Sequence, residues 1–563
     1  MKITLSFLLI IALTIFIFGN TQYDPPVISD ISYSNINHYD VTINWKTNFP
    51  ADSKVRWMKS DSNYQPVIYT DSVYSPVADT IHSVTLNYLM TSELYLFEVS
   101  STGAGGTSIV SNNMFATKSI TPGVINVWFS GSVDTSVSNG EKAQGNVDLE
   151  EKLNNRIDSA NYGIDACIFD FNIDNVFASV LKAKRRNVSL RIITDSRIGQ
   201  NWLDSFTINQ IPFIKRNYDT ANGRSMHNQF WIFDARVYCS SDRVYLWLGS
   251  ADVTDNSLHQ DKNNALEIQE RTIAHIFTRE FEEMWGSHTN YPDTAISKFG
   301  SAKTDNVPHL VDIHGTMVEL YFAPSDSLEK RIGNIIEETN KTLNFCIYNF
   351  TSERLKNYMF EKRNYISPIA GIFDLSQSGY GVYMNMKQWA DVWIDSTQGL
   401  LYHKYLIKDA NFSNHYPKLV TGSYEWTTKS NLYNDESILI FNSPRIANLF
   451  YQEFHQRYKE SSGHPLGIMN VSSVVPGSFI LHQNYPNPFN PTTKIKFEIY
   501  SNTNVKLSVF DILGKKITTL INGKLNTGVY ETEFDASGLS SGIYFYRLET
   551  ESYNAIKRMV YLK

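Results

Sequence analysis

Cysteine is scarce. The three in 563 residues, Cys167, Cys239 and Cys346, are too few for a disulfide scaffold and lack metal-ligand spacing. They read as small buried hydrophobes. An excess of positive charge is also missing: 50 Lys+Arg stand against 57 Asp+Glu, a formal charge of −7. No general basic surface therefore advertises nucleic acid or anionic lipid, although a local basic groove stays open. Beyond the first twenty residues no stretch is long and apolar enough to cross a bilayer. Met1-Lys2 followed by the uncharged run Ile3 to Gly19 reads as a secretory signal at 1–20, with an uncleaved anchor as the alternative. Tyr/Asp/Pro-rich sequence follows with no stop-transfer cluster, which favours cleavage, and no nearby cysteine suggests a lipoprotein. What is present fits a folded chain of about four domains, with 42% hydrophobic and 19% charged residues. Aromatics at 13% lean toward β-rich architecture.

From Tyr23 to about Ser119, short runs such as Val41-Thr42-Ile43-Asn44-Trp45 alternate apolar and polar residues between turn signals, which predicts a small β-sandwich. Trp45 on an early strand, Tyr95 four residues before Val99, and the glycine turn Gly103-Ala104-Gly105-Gly106 resemble the fibronectin type III pattern. A spacer is the role expected of it, since no aromatic platform for carbohydrate stands out. At the other end, Asn484-Tyr485-Pro486-Asn487-Pro488-Phe489-Asn490-Pro491 makes a proline-pinned entry to strand-like runs and a turn at Asp511–Lys515. This segment closely resembles the C-terminal sorting domain of the type IX secretion system. The resemblance implies passage across the outer membrane with the type IX machinery as partner, then release or surface attachment.

The middle of the chain repeats itself. Cys167 and Cys346 are 179 residues apart, as are Asp195 and Asp374, and each lies in matching strand patterns. Strand, helix, strand with apolar runs on both faces predicts an α/β sandwich in two related halves. A set of polar residues then recurs: His227-Asn228-Gln229, Asp234, Gly249-Ser250-Ala251-Asp252 and Glu267, against Tyr402-His403-Lys404, Asp409, Gly422-Ser423-Tyr424-Glu425 and Glu436. The step from the first residue to the Asp is seven in both. This pattern resembles the phospholipase D superfamily. The resemblance implies a phosphohistidine mechanism: one histidine attacks phosphorus, a second protonates the leaving alcohol, lysines and Ser/Asn side chains neutralise the phosphate, and a Glu in each half orients an imidazole.

The sequence departs from that pattern. His227 keeps its histidine, but Gln229 stands where lysine belongs; Lys404 keeps its lysine, but Tyr402 stands where histidine belongs. A one-residue slip to His403 is rejected, because strand alternation turns 403 away from the face shared by 402 and 404. Asp252 and Glu425 both replace asparagine, and each ionised carboxylate repels a nearby phosphodiester by about 1–4 kcal/mol. They share a proton, hold a cation, or stay ionised; the sequence leaves these open.

The expected architecture is a multidomain chain: signal 1–20, fibronectin type III-like β-sandwich 23–119, halves of a central duplicated α/β sandwich at 124–310 and 315–460, linker 461–476, and a sorting domain, also a β-sandwich, at 477–563. The expected function is an exported phosphodiesterase acting on phospholipid or nucleic acid, with no metal and no cofactor. Its catalytic set is His227, Tyr402, Lys404, Glu267 and Glu436. Gln229, Ser250, Asp252, Ser423 and Glu425 contact substrate, and Asp234 and Asp409 brace the loops. The alternative is a catalytically dead fold kept as a binding module.

Overall fold

The computed structural model describes residues 24–60, 67–216, 224–236, 243–366, 368–379, 381–462, 468–472, 476–525 and 527–563. The expected signal at 1–20, together with Cys239, lies outside the described residues.

In the N-terminal unit the alternating runs form β1 (Ile28–Ser34), β2 (Val41–Lys59), β3 (Asp71–Leu86), β4 (Leu94–Gly103) and β5 (Gly106–Ala116). These strands pair as one five-stranded sheet. β2 and β3 run on through a register break between Lys46 and Ser53, so their neighbours change along their length. The first part of β2 pairs with β1, and Lys54–Lys59 pairs with β4. The sheet therefore curls round its own core as a half-barrel, where two separate sheets were expected. Val41, Ile43, Trp45, Phe97 and Val99 fill that core. Trp45 donates its Nε1–H to Ser101 Oγ at 2.9 Å and stacks on His82 at 4.8 Å.

The central region contains two sheets of the same topology. The first half comprises β6 (Val124–Phe129), α1 (Leu149–Ser159), β7 (Gly163–Ile168), α2 (Asp174–Arg185), β8 (Ser189–Asp195), α3 (Gln200–Ile208), β9 (Phe213–Arg216), β10 (Phe230–Phe233), β11 (Tyr245–Gly249), α4 (Asp255–His259), β12 (Asn264–Gln269) and α5 (Arg271–Trp285). The second comprises β13 (Leu310–Ile313), β14 (Thr316–Ala323), α6 (Leu328–Glu337), β15 (Leu343–Ile347), α7 (Glu353–Lys362), β16 (Ile369–Asp374), α8 (Gly381–Met386), β17 (Asp391–Asp395), β18 (Lys404–Lys408), β19 (Lys418–Gly422), α9 (Thr428–Leu432), β20 (Glu436–Asn442) and α10 (Pro444–Ser462). Strand order is β6-β12-β11-β10-β7-β8-β9 in one sheet and β14-β20-β19-β18-β15-β16-β17 in the other, with β13 added at its edge. In each, three strands are parallel and the rest antiparallel.

Helices cover both faces of each sheet. In the first half, Leu149, Leu153 and Ile157 of α1 and Val176, Val180 and Ala183 of α2 pack with Ile164, Ala166 and Trp247 on the outer face. The long helices α5 and α10 are shared between halves. Phe277 of α5 meets Phe230 and Phe322, each at 5.0 Å, and Phe450 of α10 meets Phe129 at 5.0 Å and Tyr405 at 5.1 Å. Two backbone bridges seal the join in matching places, Met226 with Asp435 and Leu401 with Lys262. A buried ion pair flanks each bridge. Asp435 of the second half pairs with Arg216 of the first, while Lys262 of the first pairs with Asp395 of the second at 3.2 Å. The two positions are equivalent and the charges are inverted.

The C-terminal region forms two four-stranded sheets. These contain β21 (Ile468–Ser472), β22 (Ile480–Leu481), β23 (Thr492–Ile499), β24 (Thr503–Phe510), β25 (Lys516–Leu525), β26 (Gly528–Asp535), β27 (Gly542–Glu549) and β28 (Asn554–Tyr561). Ile495, Phe497, Leu507, Val509 and Tyr546 are buried between them. The turn at Asp511–Lys515 forms as the sequence suggests: Asp511 Oδ1 accepts the amides of Leu513 and Lys515 at 2.9 Å, and Gly514 takes a φ of 78°. The stretch 461–476 is not all linker. α10 runs on to Ser462, and Ile468–Ser472 pairs with β26 as an extra edge strand.

Candidate active site

Bridges from the segments just before β10 and β18 to the opposite half set the site. The residues just before each strand hydrogen-bond across the join: His227 N donates to Asp435 O at 2.9 Å and Tyr402 N to Lys262 O at 3.0 Å. Both motifs are thereby held at the pseudo-two-fold axis. Alternation puts His227 and Gln229 on one side, Tyr402 and Lys404 on the other, facing each other. His403 points instead into the packing of α10, where Nε2 lies 3.0 Å from Glu453 Oε1.

His227 is 4% exposed. Its Nδ1 lies 2.8 Å from Glu436 Oε2, and Glu436 Oε1 accepts Asn434 Nδ2 at 3.0 Å. The edge of Phe169 packs against the imidazole at 4.4 Å. Burial alone would lower the imidazole pKa, but the Glu436 carboxylate outweighs it and holds His227 above its ordinary value. Nδ1–H is thus directed at the carboxylate, leaving Nε2 with its lone pair for the pocket.

Across the join the second motif makes a different pair. The Tyr402 hydroxyl donates to Asp252 Oδ2 at 3.0 Å, and Gln229 Nε2 donates to Asp252 Oδ1. Burial pushes the Tyr402 phenol well above its ordinary value, and Asp252 adds to the rise. Burial also raises the Asp252 carboxyl, with His227 and Lys404 pulling it down. Lys404 Nζ sits 3.6 Å over the Tyr402 ring and donates to Tyr402 O at 3.1 Å. Burial lowers its ammonium, against the pull of Glu425 and Asp252. Glu425 is half-buried and accepts Asn349 Nδ2 at 3.0 Å, while the Tyr348 ring lies 4.6 Å from that of Tyr402. One imidazole, one ammonium and two extra carboxylates therefore share a crevice.

Other candidates lie elsewhere or have their polar atoms engaged. Glu267 is not at the site. It pairs with Arg156 at 2.7 Å and accepts Asn126 Nδ2 at 3.3 Å on the α1 side of β12. The residue standing where Glu436 does is Asn263, because Gly249 aligns with Ala265 as Gly422 aligns with Ile438. Glu267 sits four residues further along, about 13 Å down the strand. Ser250 Oγ donates to Asn263 Oδ1 at 2.8 Å and accepts Asn264 N at 3.1 Å; Ser423 Oγ accepts Ser437 N at 3.0 Å. Both hydroxyls bond within their own hairpins. Asp234 accepts the amides of Asn161, Tyr162 and Gly163, and Asp409 those of Asn340, Lys341 and Thr342. Asn434, Asp435, Tyr348, Asn349 and Phe169 were not singled out by sequence. A constant step of fourteen, from Gly422 to Glu436 and from Gly249 to Asn263, is the signal that sets Asn263 in the place of the orienting acid. Metal-type donors gather away from the crevice, in Asp305, His309 and Asp326, with one donor atom of each within 4.8 Å of the others.

The family profile described as "Cardiolipin synthase, PLD-like domain" matches residues 153–285. The chain carries a phospholipase D-like domain. The match lies within the first half; the second half, outside it, repeats the same strand order. Similar curated proteins include the mitochondrial cardiolipin hydrolases of Mus musculus, 24% identical over 139 residues, and of Chlamydomonas reinhardtii, 23% over 127. The alignments take in 24% and 22% of this chain and 60% and 54% of those proteins. The chain thus spans only about half the length of the curated relatives it matches. Among solved structures, phosphatidylserine synthase of Haemophilus influenzae Rd KW20 aligns at a TM-score of 0.42 and 12% identity, over 56% of this chain and 84% of that one. The phospholipase D family member Nuc of Salmonella typhimurium aligns at 0.23 and 19%, over 30% and 99%. A second profile, "Secretion system C-terminal sorting domain", matches residues 483–562. That domain indicates export by the type IX secretion system to the cell surface or outside.

Proposed function

We propose that the protein is an exported phosphodiesterase in which His227 Nε2 attacks phosphorus and Lys404 lies against the phosphate oxygens. The observation that carries this reading is the His227–Glu436 contact, made across the halves in the same buried crevice as Lys404. Glu436 fixes the tautomer and supports positive charge on the ring as the N–P bond forms. The phosphohistidine then passes its phosphoryl group to water. Phospholipid and nucleic acid both offer the diester this needs; the likeness to cardiolipin hydrolases supports lipid as the first to test. The domain limits follow the expected 23–119, 124–310, 315–460 and 477–563, with the second half widened to take in β13 and α10 to Ser462 and the C-terminal domain to take in β21. The N-terminal half-barrel acts as a spacer, its core closed by buried Trp45 and Tyr95.

A second reading, a non-catalytic binding module, draws on one observation: Lys404 is already engaged by the Tyr402 ring and carbonyl, beside two carboxylates that repel a phosphodiester. Purified protein is to be incubated with bis(4-nitrophenyl) phosphate, phosphatidylcholine and cardiolipin vesicles, and single-stranded DNA, beside His227→Ala. Turnover that vanishes in the variant supports the enzyme. Background equal in both, with retained lipid or DNA binding, supports the module.

A further inference from the structure

Two ring–carboxylate pairs meet across the join, and each takes its ring from one half and its carboxylate from the other. His227 of the first half pairs with Glu436 of the second; Tyr402 of the second pairs with Asp252 of the first. Tyr402 occupies the place equivalent to His227, as its backbone bond to Lys262 mirrors that of His227 to Asp435. A phenol there lacks the imidazole's second nitrogen, and its proton is committed to Asp252. Glu425, the acid at the matching loop position, is half-buried and held by Asn349. Asp252 is 8% exposed and bridges Gln229 and Tyr402, beside His227 and Lys404.

We propose that Asp252, held in place by Tyr402 and Gln229, is the acid–base group of this site, giving the leaving oxygen its proton and later taking one from water. This rests on the phosphodiesterase reading above. Burial works against the ionised carboxylate and so keeps a proton available, while His227 and Lys404 favour its release. As His227 Nε2 bonds to phosphorus, the P–O bond to the leaving alcohol breaks and the Asp252 proton moves to that oxygen. Water then attacks phosphorus from the vacated side. Asp252 takes its proton, the N–P bond breaks, and the electron pair returns to Nε2. No oxidant or further co-reactant is needed.

The test is the dependence on leaving group. The full-length protein and Asp252→Asn are assayed on bis(4-nitrophenyl) phosphate, whose leaving phenolate needs no proton, and on phosphatidylglycerol, whose alkyl leaving group does. Asn keeps the size of Asp252; its oxygen accepts Gln229 Nε2 and its amide N–H turns to the Tyr402 oxygen in place of the hydroxyl's donation. The expected result is a loss of about 100-fold or more in release of the lipid alcohol, against less than about fivefold in the pre-steady-state burst of nitrophenolate, the step that needs no acid; hydrolysis of the phosphohistidine slows on both substrates. In Tyr402→Phe, loss of the hydrogen bond that favours the ionised carboxylate moves the alkaline limb of kcat up by about one unit. Equal losses in this first step on both substrates, or a gain in Asp252→Asn, overturn the role of Asp252 while leaving His227 chemistry intact. A wild-type protein that cleaves neither substrate overturns both proposals.

Discussion

Glu436→Gln tests the chemistry of the crevice most directly. The change removes one negative charge 2.8 Å from His227 Nδ1 and keeps the side-chain volume. The glutamine oxygen still accepts Asn434 Nδ2 at the place of Oε1, so its amide nitrogen turns toward the imidazole. A donor facing Nδ1 forces the ring proton onto Nε2, the atom that must attack. The wrong tautomer costs about 10²–10⁴-fold in kcat. The imidazole pKa moves as well. An opposite charge this close is worth about 1–3 units, and Glu436 is what holds His227 above its ordinary 6.5. Attack requires neutral imidazole, so activity is lost as pH falls through the raised value, and in the variant this acid limb moves to lower pH. Linkage gives the matching sign for stability. The raised folded-state value means the charged pair stabilises the fold fully below the unfolded pKa and is lost as pH rises through the folded one. The variant's deficit in urea unfolding is therefore larger near about pH 6 than near about pH 9. Rate profiles and NMR titration of the imidazole read both effects. An acid limb that stays put, with kcat within about threefold, refutes the reasoning.

Two further substitutions separate the crevice from its surroundings. Glu267→Gln, four residues along β12 from the place of the orienting acid, leaves kcat within about twofold and costs less than about 1 kcal/mol in urea unfolding, since its Arg156 partner is partly exposed. Asp435→Asn removes the carboxylate shared by Arg216, Lys303 and the Gly300 amide at the join. Leaving buried Arg216 without its counter-charge costs about 3–5 kcal/mol, read as a lower urea midpoint with unchanged slope.

The repeat was legible because strand spacing is rigid: Cys167 and Cys346, like Asp195 and Asp374, keep a common offset through β7–β8 and β15–β16. The motif register was legible for the same reason, and strand alternation alone turned His403 away. Glu267 stood in for the orienting acid only because it is the next Glu after Gly249-Ser250; the step of fourteen that joins Gly422 to Glu436 lands on Asn263, a residue without a carboxylate. Contacts between halves were not legible at all. Arg216 with Asp435, and Lys262 with Asp395, are distant in sequence and follow no periodic pattern. The pairing of Tyr402 with Asp252 was equally hidden, since each sits in a motif read against its own family position. The N-terminal β-strands were foreseeable from alternation, but their merger into one curled sheet depends on β2 and β3 continuing through a register shift that composition does not signal.

The inverted ion pairs at the join bear on ancestry. If the first half were expressed alone and met its own copy, the same geometry would press Arg216 against Lys262; two copies of the second half would press Asp395 against Asp435. Burying like charges in that way is prohibitive. Whatever self-associating ancestor preceded the duplication, neither descendant retains a route back to it, and each lobe now folds against the one sibling that its own chain delivers.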